Sequence, residues 1–180
     1  MKTVIMTVGP QGAGKTTFCE KAVVANPDIK LISVDTFFME KFGKLGFDPY
    51  TGEVHYAWDC FWGHLAECVA SMGSKATVLL DCWNPTKGAR NRIRERLESY
   101  GAERVVAWYF VTTTQTCGRW FGAREHARRR TSLDLLQEMS SRNARIFHKD
   151  AEDVRQGVGF DAVHFIDPQQ LRLFPEIFPI

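Results

Sequence analysis

The sequence predicts an α/β fold in which helices flank a five-stranded parallel sheet. Three observations support this prediction. Short runs of apolar and β-branched residues alternate along the chain with longer segments of helical pattern. A glycine-rich stretch joins the first of these strands to the first helix. The chain has 180 residues, of which 44% are hydrophobic, so we predict one domain over residues 1–180 with a sizeable core.

Strands and helices alternate along most of the chain. The predicted strands are Thr3–Val8, Ile29–Val34, Ala76–Asp81, Arg104–Val111 and Phe160–Ile166. The predicted helices are Lys15–Ala25, Asp59–Met72, Asn84–Tyr100 and Leu133–His148. The aromatic-rich span 36–58 is interrupted by glycine and proline, so we expect an irregular segment there. It forms either the floor of a binding pocket or a small hydrophobic cluster of its own. The apolar tail from Leu171 is expected to pack onto the domain.

Residues 9–16 match the pattern G-x-x-x-x-G-K-[ST] of a phosphate-binding loop. The predicted strand before the loop and helix after it provide the context that the motif requires. Gly12 and Gly14 allow a tight turn in which several backbone N–H groups point at one spot, and the helix N-terminus adds partial positive charge. We expect Lys15 to reach the outer phosphates of a nucleotide and the Thr16 hydroxyl group to bind Mg²⁺.

Two aspartates follow predicted strands. Asp35 comes directly after the second strand and Asp81 ends the third. Ligands of open parallel sheets bind outside the carboxyl ends of the strands, which puts both carboxylates near the phosphate loop. Asp35 could accept a proton from an attacking hydroxyl group, or it could cap a helix that starts at Thr36. The apolar strand that ends in Asp81 resembles a Walker-B arrangement, in which the carboxylate meets Mg²⁺.

Arginine is concentrated after the fourth strand, and the residues are Arg119, Arg124, Arg128, Arg129 and Arg130. We predict a mobile lid at about residues 115–131 that brings arginine to a transferring phosphoryl group. Arg119 and Arg124 lie nearest the strand, whereas Arg128 to Arg130 face solvent or nucleic acid. The alternative is a solvated basic helix end.

The helix at 84–100 is also basic. It carries Lys87, Arg90, Arg92, Arg94 and Arg96. Because Glu95 and Glu98 interrupt these cations, we expect a solvated helix face, with contact to a phosphate backbone as the alternative.

Composition limits the location of the protein. No apolar run reaches the roughly 18 residues of a membrane span, and the first residues lack the shape of a signal peptide. Five widely spaced cysteines suit reduced thiols. We therefore expect a cytoplasmic protein without membrane contact. The net charge of +2 does not by itself imply a partner.

The phosphate loop, the two aspartates that follow strands and the Arg-bearing segment together resemble the polynucleotide kinase group of P-loop phosphotransferases. The similarity rests on residues 8–18, the strand before Asp35, residues 78–81 with Asn84-Pro85 behind them, and the Arg-bearing segment. It implies a three-layer P-loop kinase fold with an Arg-rich lid, and an ATP-dependent kinase that uses ATP and Mg²⁺. The implied acceptor is a hydroxyl group on nucleic acid, DNA or RNA, at a 5′ end.

The resemblance also assigns roles to residues. Asp35 would be the general base, and Lys15 and Arg124 would stabilise the transferring phosphoryl group. The implied nucleotide-binding residues are Gly9, Gln11, Gly12, Ala13, Gly14, Lys15, Thr16, Thr17 and Arg119. The implied metal ligands are Thr16 and Asp81.

One position departs from the family pattern. Polynucleotide 5′-kinases of the phage type carry arginine three residues after the general base, where this chain has Phe38. Alternative acceptors are therefore a hydroxymethylated pyrimidine such as 5-hydroxymethyluracil within DNA, or a small molecule such as a nucleoside, sugar or antibiotic. The aromatic pair Phe37-Phe38 suits a flipped-out nucleobase. A nucleotide-dependent switch or ATPase module is the alternative that involves no transfer.

Overall fold

A computed structural model describes residues 1–48, 50–129 and 132–170. Five strands form one sheet, and they are β1 (Thr3–Val8), β2 (Ile29–Ser33), β3 (Thr77–Asp81), β4 (Arg104–Phe110) and β5 (Ala162–Ile166). All pairings are parallel, in the order β2-β3-β1-β4-β5. β1 is the central strand. The chain first forms β2 and β3 on one side of β1 and then crosses to form β4 and β5 on the other side. The predicted α/β fold with a five-stranded parallel sheet is confirmed.

Seven helices connect the strands within the described ranges. They are α1 (Lys15–Ala25), α2 (Val34–Phe42), α3 (Glu53–Ala70), α4 (Lys87–Ser99), α5 (Thr114–Arg129), α6 (Leu133–Asp150) and α7 (Glu152–Arg155). Successive side chains of a strand point to opposite faces, so each face of the sheet carries its own core. On one face Val4 and Met6 pack with α2, α3 and α4, and on the other Ile5 packs with α1 and parts of α5 and α6.

The span 36–58 is more regular than its glycines and prolines suggested. α2 occupies its first part, and α3 begins at Glu53, six residues before the predicted helix. The Ser33 hydroxyl group accepts a hydrogen bond from the backbone N–H of Thr36 at 3.4 Å and caps α2. Gly43 ends the helix in the left-handed conformation (φ 67°). Phe37, Phe38, Phe42, Phe47 and Trp58 belong to or pack against one core cluster, whereas Tyr50 and Tyr56 are exposed.

Residues 115–129 of the predicted lid belong to the helix α5, which packs against α6. Gly118 and Gly122 make the close approach: a Cβ atom on Gly118 would lie 2.2 Å from the Ser141 hydroxyl oxygen, and one on Gly122 would lie 2.6 Å from Cγ of Gln137. The predicted closing motion is not tested by this packing. Arg130 and the tail from Leu171 lie outside the described residues.

The prediction of a fully solvated α4 is wrong for one arginine. The side chain of Arg90 is buried and pairs with Asp153 of α7, with 2.6 Å between Nη2 and Oδ1. The pair joins α4 to α7, and both helices contact β4. No helix in the described part of the chain is long and apolar enough to cross a membrane.

Candidate active site

The phosphate loop runs from β1 to α1 and is closely packed on its outer side. Gly12 (φ 76°) and Gly14 (φ 84°) both adopt the left-handed conformation that favours glycine. A Cβ atom on Gly12 would lie 2.4 Å from the carbonyl oxygen of Cys117, and one on Gly14 would lie 3.0 Å from the Trp120 ring and 3.4 Å from Pro168. Only glycine therefore fits at these two turns.

α1 begins at this loop without a capping side chain. Its N-cap residue is Gly14, which offers no acceptor to the first backbone N–H groups of the helix. These donors lack intrahelical partners and carry the positive end of the helix dipole. An anion at the loop, such as a nucleotide phosphate, would satisfy them. The loop geometry thus fits a phosphate group.

Lys15 adds a cation to the same place. Its ammonium group donates hydrogen bonds to the carbonyl oxygens of Gly9 and Pro10, both at 2.9 Å, and lies 5.6 Å from the centre of the Trp83 ring. Burial lowers the pKa of Lys15, and the nearby Asp81 carboxylate opposes that shift. The side chain is thus held against the loop, where phosphate oxygens could replace its carbonyl partners.

Thr16 and Asp81 are joined directly. The Thr16 hydroxyl group donates to Oδ2 of Asp81 at 2.7 Å, and the Thr7 hydroxyl group donates to Oδ1 at 3.1 Å. Asp81 is buried at the carboxyl end of β3. Hydroxyl and carboxylate oxygens are the ligand type that Mg²⁺ prefers, and it is usually bound by one or two protein groups with waters and phosphates. The predicted pair of metal ligands is therefore brought together and suits this ion.

Asp35 lies in the first turn of α2 with an exposed side chain. The alternative in which it caps this helix is wrong, because Ser33 is the capping residue. Asp35 lines the same cleft as the phosphate loop. The structure therefore leaves the carboxylate facing the cleft, where a substrate hydroxyl group could meet it.

The cleft has a volume of about 370 Å³ and two chemically different ends. One end is formed by the phosphate loop with Asp81. The other end is apolar and aromatic, and its side chains are Val34, Phe38, Leu45, Phe47, Val54 and Trp58. Trp83 also lines the cleft, 5.6 Å from the Lys15 ammonium group and therefore beside the loop. The charged side chains that line the cleft are Lys15, Asp35, Asp81 and Arg124. A group bound at the aromatic end thus meets uncharged side chains.

A separate cavity of about 360 Å³ lies on the outer side of the phosphate loop. Its walls include Trp120 and Phe121 of α5, Pro168 after β5, and Lys21 of α1. Arg124 lines both this cavity and the cleft. Sequence reasoning missed these walls, since no local motif links residues so far apart in the chain.

Most predicted nucleotide-binding residues lie around these two cavities. Gln11, Gly12, Ala13, Gly14, Lys15, Thr16 and Thr17 line the cleft. Gly9 holds the start of the loop against Phe110. Arg119 lines neither cavity, and its guanidinium group donates to the Thr116 hydroxyl group one turn away at 3.4 Å. Its nucleotide-binding role stays a prediction.

The cysteines offer no charged nucleophile here. All five thiols are free. Cys82 lines the cleft, and burial raises its pKa to about 12. Burial likewise raises the pKa of Cys117 to about 11. Burial thus favours the neutral form of both thiols over the thiolate.

Comparison with known proteins agrees with this geometry. A family profile described as an AAA domain, AAA_33, matches residues 4–146. The chain belongs to this AAA domain family. A search of curated protein sequences finds no match.

Solved structures with the same fold include a shikimate kinase, Kti12 and a chain of an RNA repair complex. Shikimate kinase from Acinetobacter baumannii in complex with shikimate has a TM-score of 0.58 and 17% identity, covering 97% of this chain and 89% of its own. Chaetomium thermophilum Kti12 in complex with ADP-AlF3 has a TM-score of 0.59 and 16% identity, covering 97% and 96%. A chain of the Pnkp1/Rnl/Hen1 RNA repair complex has a TM-score of 0.63 and 14% identity, covering 82% of this chain and 45% of its own.

These similarities show the fold. The protein has a P-loop kinase-like α/β fold, and its phosphate loop makes it a nucleotide-binding domain. The matches include both a small-molecule kinase and a chain of an RNA repair complex, so they do not distinguish polynucleotide kinases from small-molecule kinases.

Proposed function

We propose that the protein is an ATP-dependent phosphotransferase that phosphorylates a hydroxyl group on nucleic acid. The observation that carries the proposal is that Asp35 and the phosphate loop line one cleft. A phosphoryl donor on the loop and an acceptor hydroxyl group at Asp35 would then be neighbours, as in-line transfer requires.

The donor side is supported by the fit of the loop to phosphate. ATP with Mg²⁺ supplies the γ-phosphoryl group when bound. The loop N–H groups and Lys15 would hold its phosphates, and Thr16 with Asp81 would hold the ion. The cavity beside Trp120 and Pro168 would take the planar base, because its flat walls adjoin the same loop.

The acceptor side depends on Asp35 and Arg124. The Asp35 carboxylate would orient the acceptor hydroxyl group and take its proton as the oxygen attacks. Arg124 faces both cavities, so its guanidinium group would stabilise negative charge between donor and acceptor. Lys15 would neutralise charge on the outer phosphates.

The walls beyond Asp35 favour one type of acceptor. Phe38, Phe47 and Trp58 suit a planar, uncharged group and provide no cation for the phosphate of a 5′-terminal nucleotide. A hydroxymethylated pyrimidine base flipped out of DNA has the required shape and carries the hydroxyl group. We therefore favour this acceptor over a 5′-hydroxyl end.

A free small molecule is the second candidate. The aromatic end of a 370 Å³ cleft would also take a nucleoside or another compact neutral alcohol. The fold of shikimate kinase supports this candidate, because that kinase is recorded in complex with a small molecule.

One labelling experiment separates the candidates. The protein is incubated with γ-labelled ATP, Mg²⁺ and one of three acceptors: DNA with a free 5′-hydroxyl group, end-blocked DNA with internal 5-hydroxymethyluracil, or free 5-hydroxymethyldeoxyuridine. We expect label on the end-blocked DNA and none with Lys15→Ala. Label on the 5′-hydroxyl DNA alone would make it the acceptor, and label on the nucleoside alone would move the activity to small molecules. Label on none of them would contradict the proposed nucleic-acid kinase.

A further inference from the structure

A groove adjoins the aromatic end of the cleft, between α3 and α4. We call it the side groove. Its volume is about 220 Å³, and it shares the lining residues Trp58, Cys82 and Trp83 with the cleft. Trp83 lies at the border, with 46% of its surface exposed. A substrate longer than one ring could therefore extend from the cleft into the side groove.

The two helices contribute matching pairs of side chains. α3 provides Trp58 and Trp62, one turn apart, whose rings stack with centroids 5.5 Å apart and planes at 24°. α4 provides Arg92 and Arg96, also one turn apart. The Arg96 guanidinium group lies 4.7 Å from the centre of the Trp62 ring. Aromatic faces and cations thus line one surface.

The arginines of α4 divide between two faces. Arg90 binds Asp153, while Arg94 donates to the carbonyl oxygen of Gly159 at 2.9 Å and pairs with Glu98. Arg92 and Arg96 point the other way, into the side groove. Within residues 1–48, 50–129 and 132–170, no carboxylate forms an ion pair with either of them. Their charge is available to an anion.

We propose that the side groove binds the nucleotides that flank the acceptor in a single-stranded or locally opened nucleic acid. Arg92 and Arg96 would hold phosphates of the backbone, and Trp62 and Trp83 would stack on a neighbouring base. This inference rests on the proposed function, since it extends the acceptor site of the same cleft. It supplies the cations that the aromatic end of the cleft lacks.

The test measures binding without transfer. The probe is an oligothymidylate of about twelve nucleotides with a 5′-phosphate and a 3′-fluorescein, titrated with protein in the absence of ATP at several KCl concentrations. For the binding constant K, the plot of log K against log[KCl] has a negative slope. The double variant Arg92→Gln with Arg96→Gln should reduce the magnitude of this slope by about 1.4, since each lost phosphate contact removes about 0.7. Trp62→Leu should weaken binding roughly tenfold.

The control pair has the same change of charge elsewhere. Arg142 and Arg145 are exposed on α6 and line none of the cavities described above. The double variant Arg142→Gln with Arg145→Gln should have the same slope as the unmodified protein. The double variant Arg92→Lys with Arg96→Lys keeps both charges in the side groove and should also have the unmodified slope.

Failure of binding by the unmodified protein, or an equal loss of slope with both glutamine pairs, would overturn the proposal. Because the probe cannot accept a phosphoryl group, this outcome is independent of the labelling experiment. Binding through the side groove without labelling of any acceptor would contradict only the proposed function.

Discussion

Removal of one partner from the buried ion pair between Arg90 and Asp153 should strongly destabilise the protein, because it leaves the other charge buried without its counter-ion. Two contacts join the groups, at 2.6 Å and 3.3 Å, and the side chains are 1% and 8% exposed. Among the described residues, Asp153→Ala would leave the buried guanidinium group with the carbonyl oxygens of Asn84 and Asp150 as its hydrogen-bond partners. Breaking such a pair costs about 3–5 kcal/mol. For a chain of this size that corresponds to a fall in melting temperature of roughly 6–20 °C.

The assay is urea denaturation followed by circular dichroism, with a partly exposed pair on the same helix as control. Arg94 and Glu98 are 3.6 Å apart and 29% and 53% exposed, so Glu98→Ala should cost less than about 0.5 kcal/mol. If Asp153→Ala and Glu98→Ala reduced the free energy of unfolding by similar small amounts, the reasoning from burial would be refuted.

Three further predictions concern the loop and its supports. Thr16→Val should slow transfer and raise the Mg²⁺ concentration required, whereas Thr16→Ser should not; equal Mg²⁺ titrations for both variants would argue against a metal-binding hydroxyl group. Gly12→Ala should lower the melting temperature and weaken ATP binding, because its φ is 76° and its Cβ atom would lie 2.4 Å from the Cys117 carbonyl oxygen; a variant with unchanged values would contradict this. Burial lowers the pKa of His148 below 6.5, so the unfolded state takes up the proton first and stability should fall as pH drops from 6.5 toward the lowered pKa. His148→Gln should flatten that part of a plot of unfolding free energy against pH, and an unchanged slope would count against His148 as its source.

The phosphate loop could be predicted from sequence because its geometry is encoded locally. Gly12 and Gly14 supply the left-handed turns, and Lys15 and Thr16 follow at fixed positions. Asp81 was placed correctly beside Thr16 for a related reason, since parallel strands bring their carboxyl ends to one edge of the sheet.

α2 shows where local signals were present but misread. Ser33 lies two residues before Asp35 and provides the cap, and Gly43 provides the stop. The glycine and proline residues of the span 36–58 nevertheless favour an irregular segment when only the sequence is considered. Helix propensity is a weak guide where burial of Phe38 and its neighbours stabilises the fold.

Other features depend on contacts that are distant in sequence. Arg90 is buried only because Asp153, 63 residues later, meets it. The cavity beside the loop joins Lys21, Trp120 and Pro168 from three separate elements, and the side groove joins α3 to α4. No spacing rule along the chain links such residues, so their contacts can be identified only from the three-dimensional structure.

In the proposed reaction, Asp35 takes the proton of the acceptor hydroxyl group in the cleft that holds the donor. The most direct measurement is the single-turnover rate of phosphoryl transfer from γ-labelled ATP by Asp35→Asn, alongside the affinity of the variant for ATP. We predict a rate at least about 100-fold lower with unchanged ATP affinity, because the residue is outside the phosphate loop and acts on the acceptor. A rate within tenfold of that of the unmodified protein would contradict this role of Asp35.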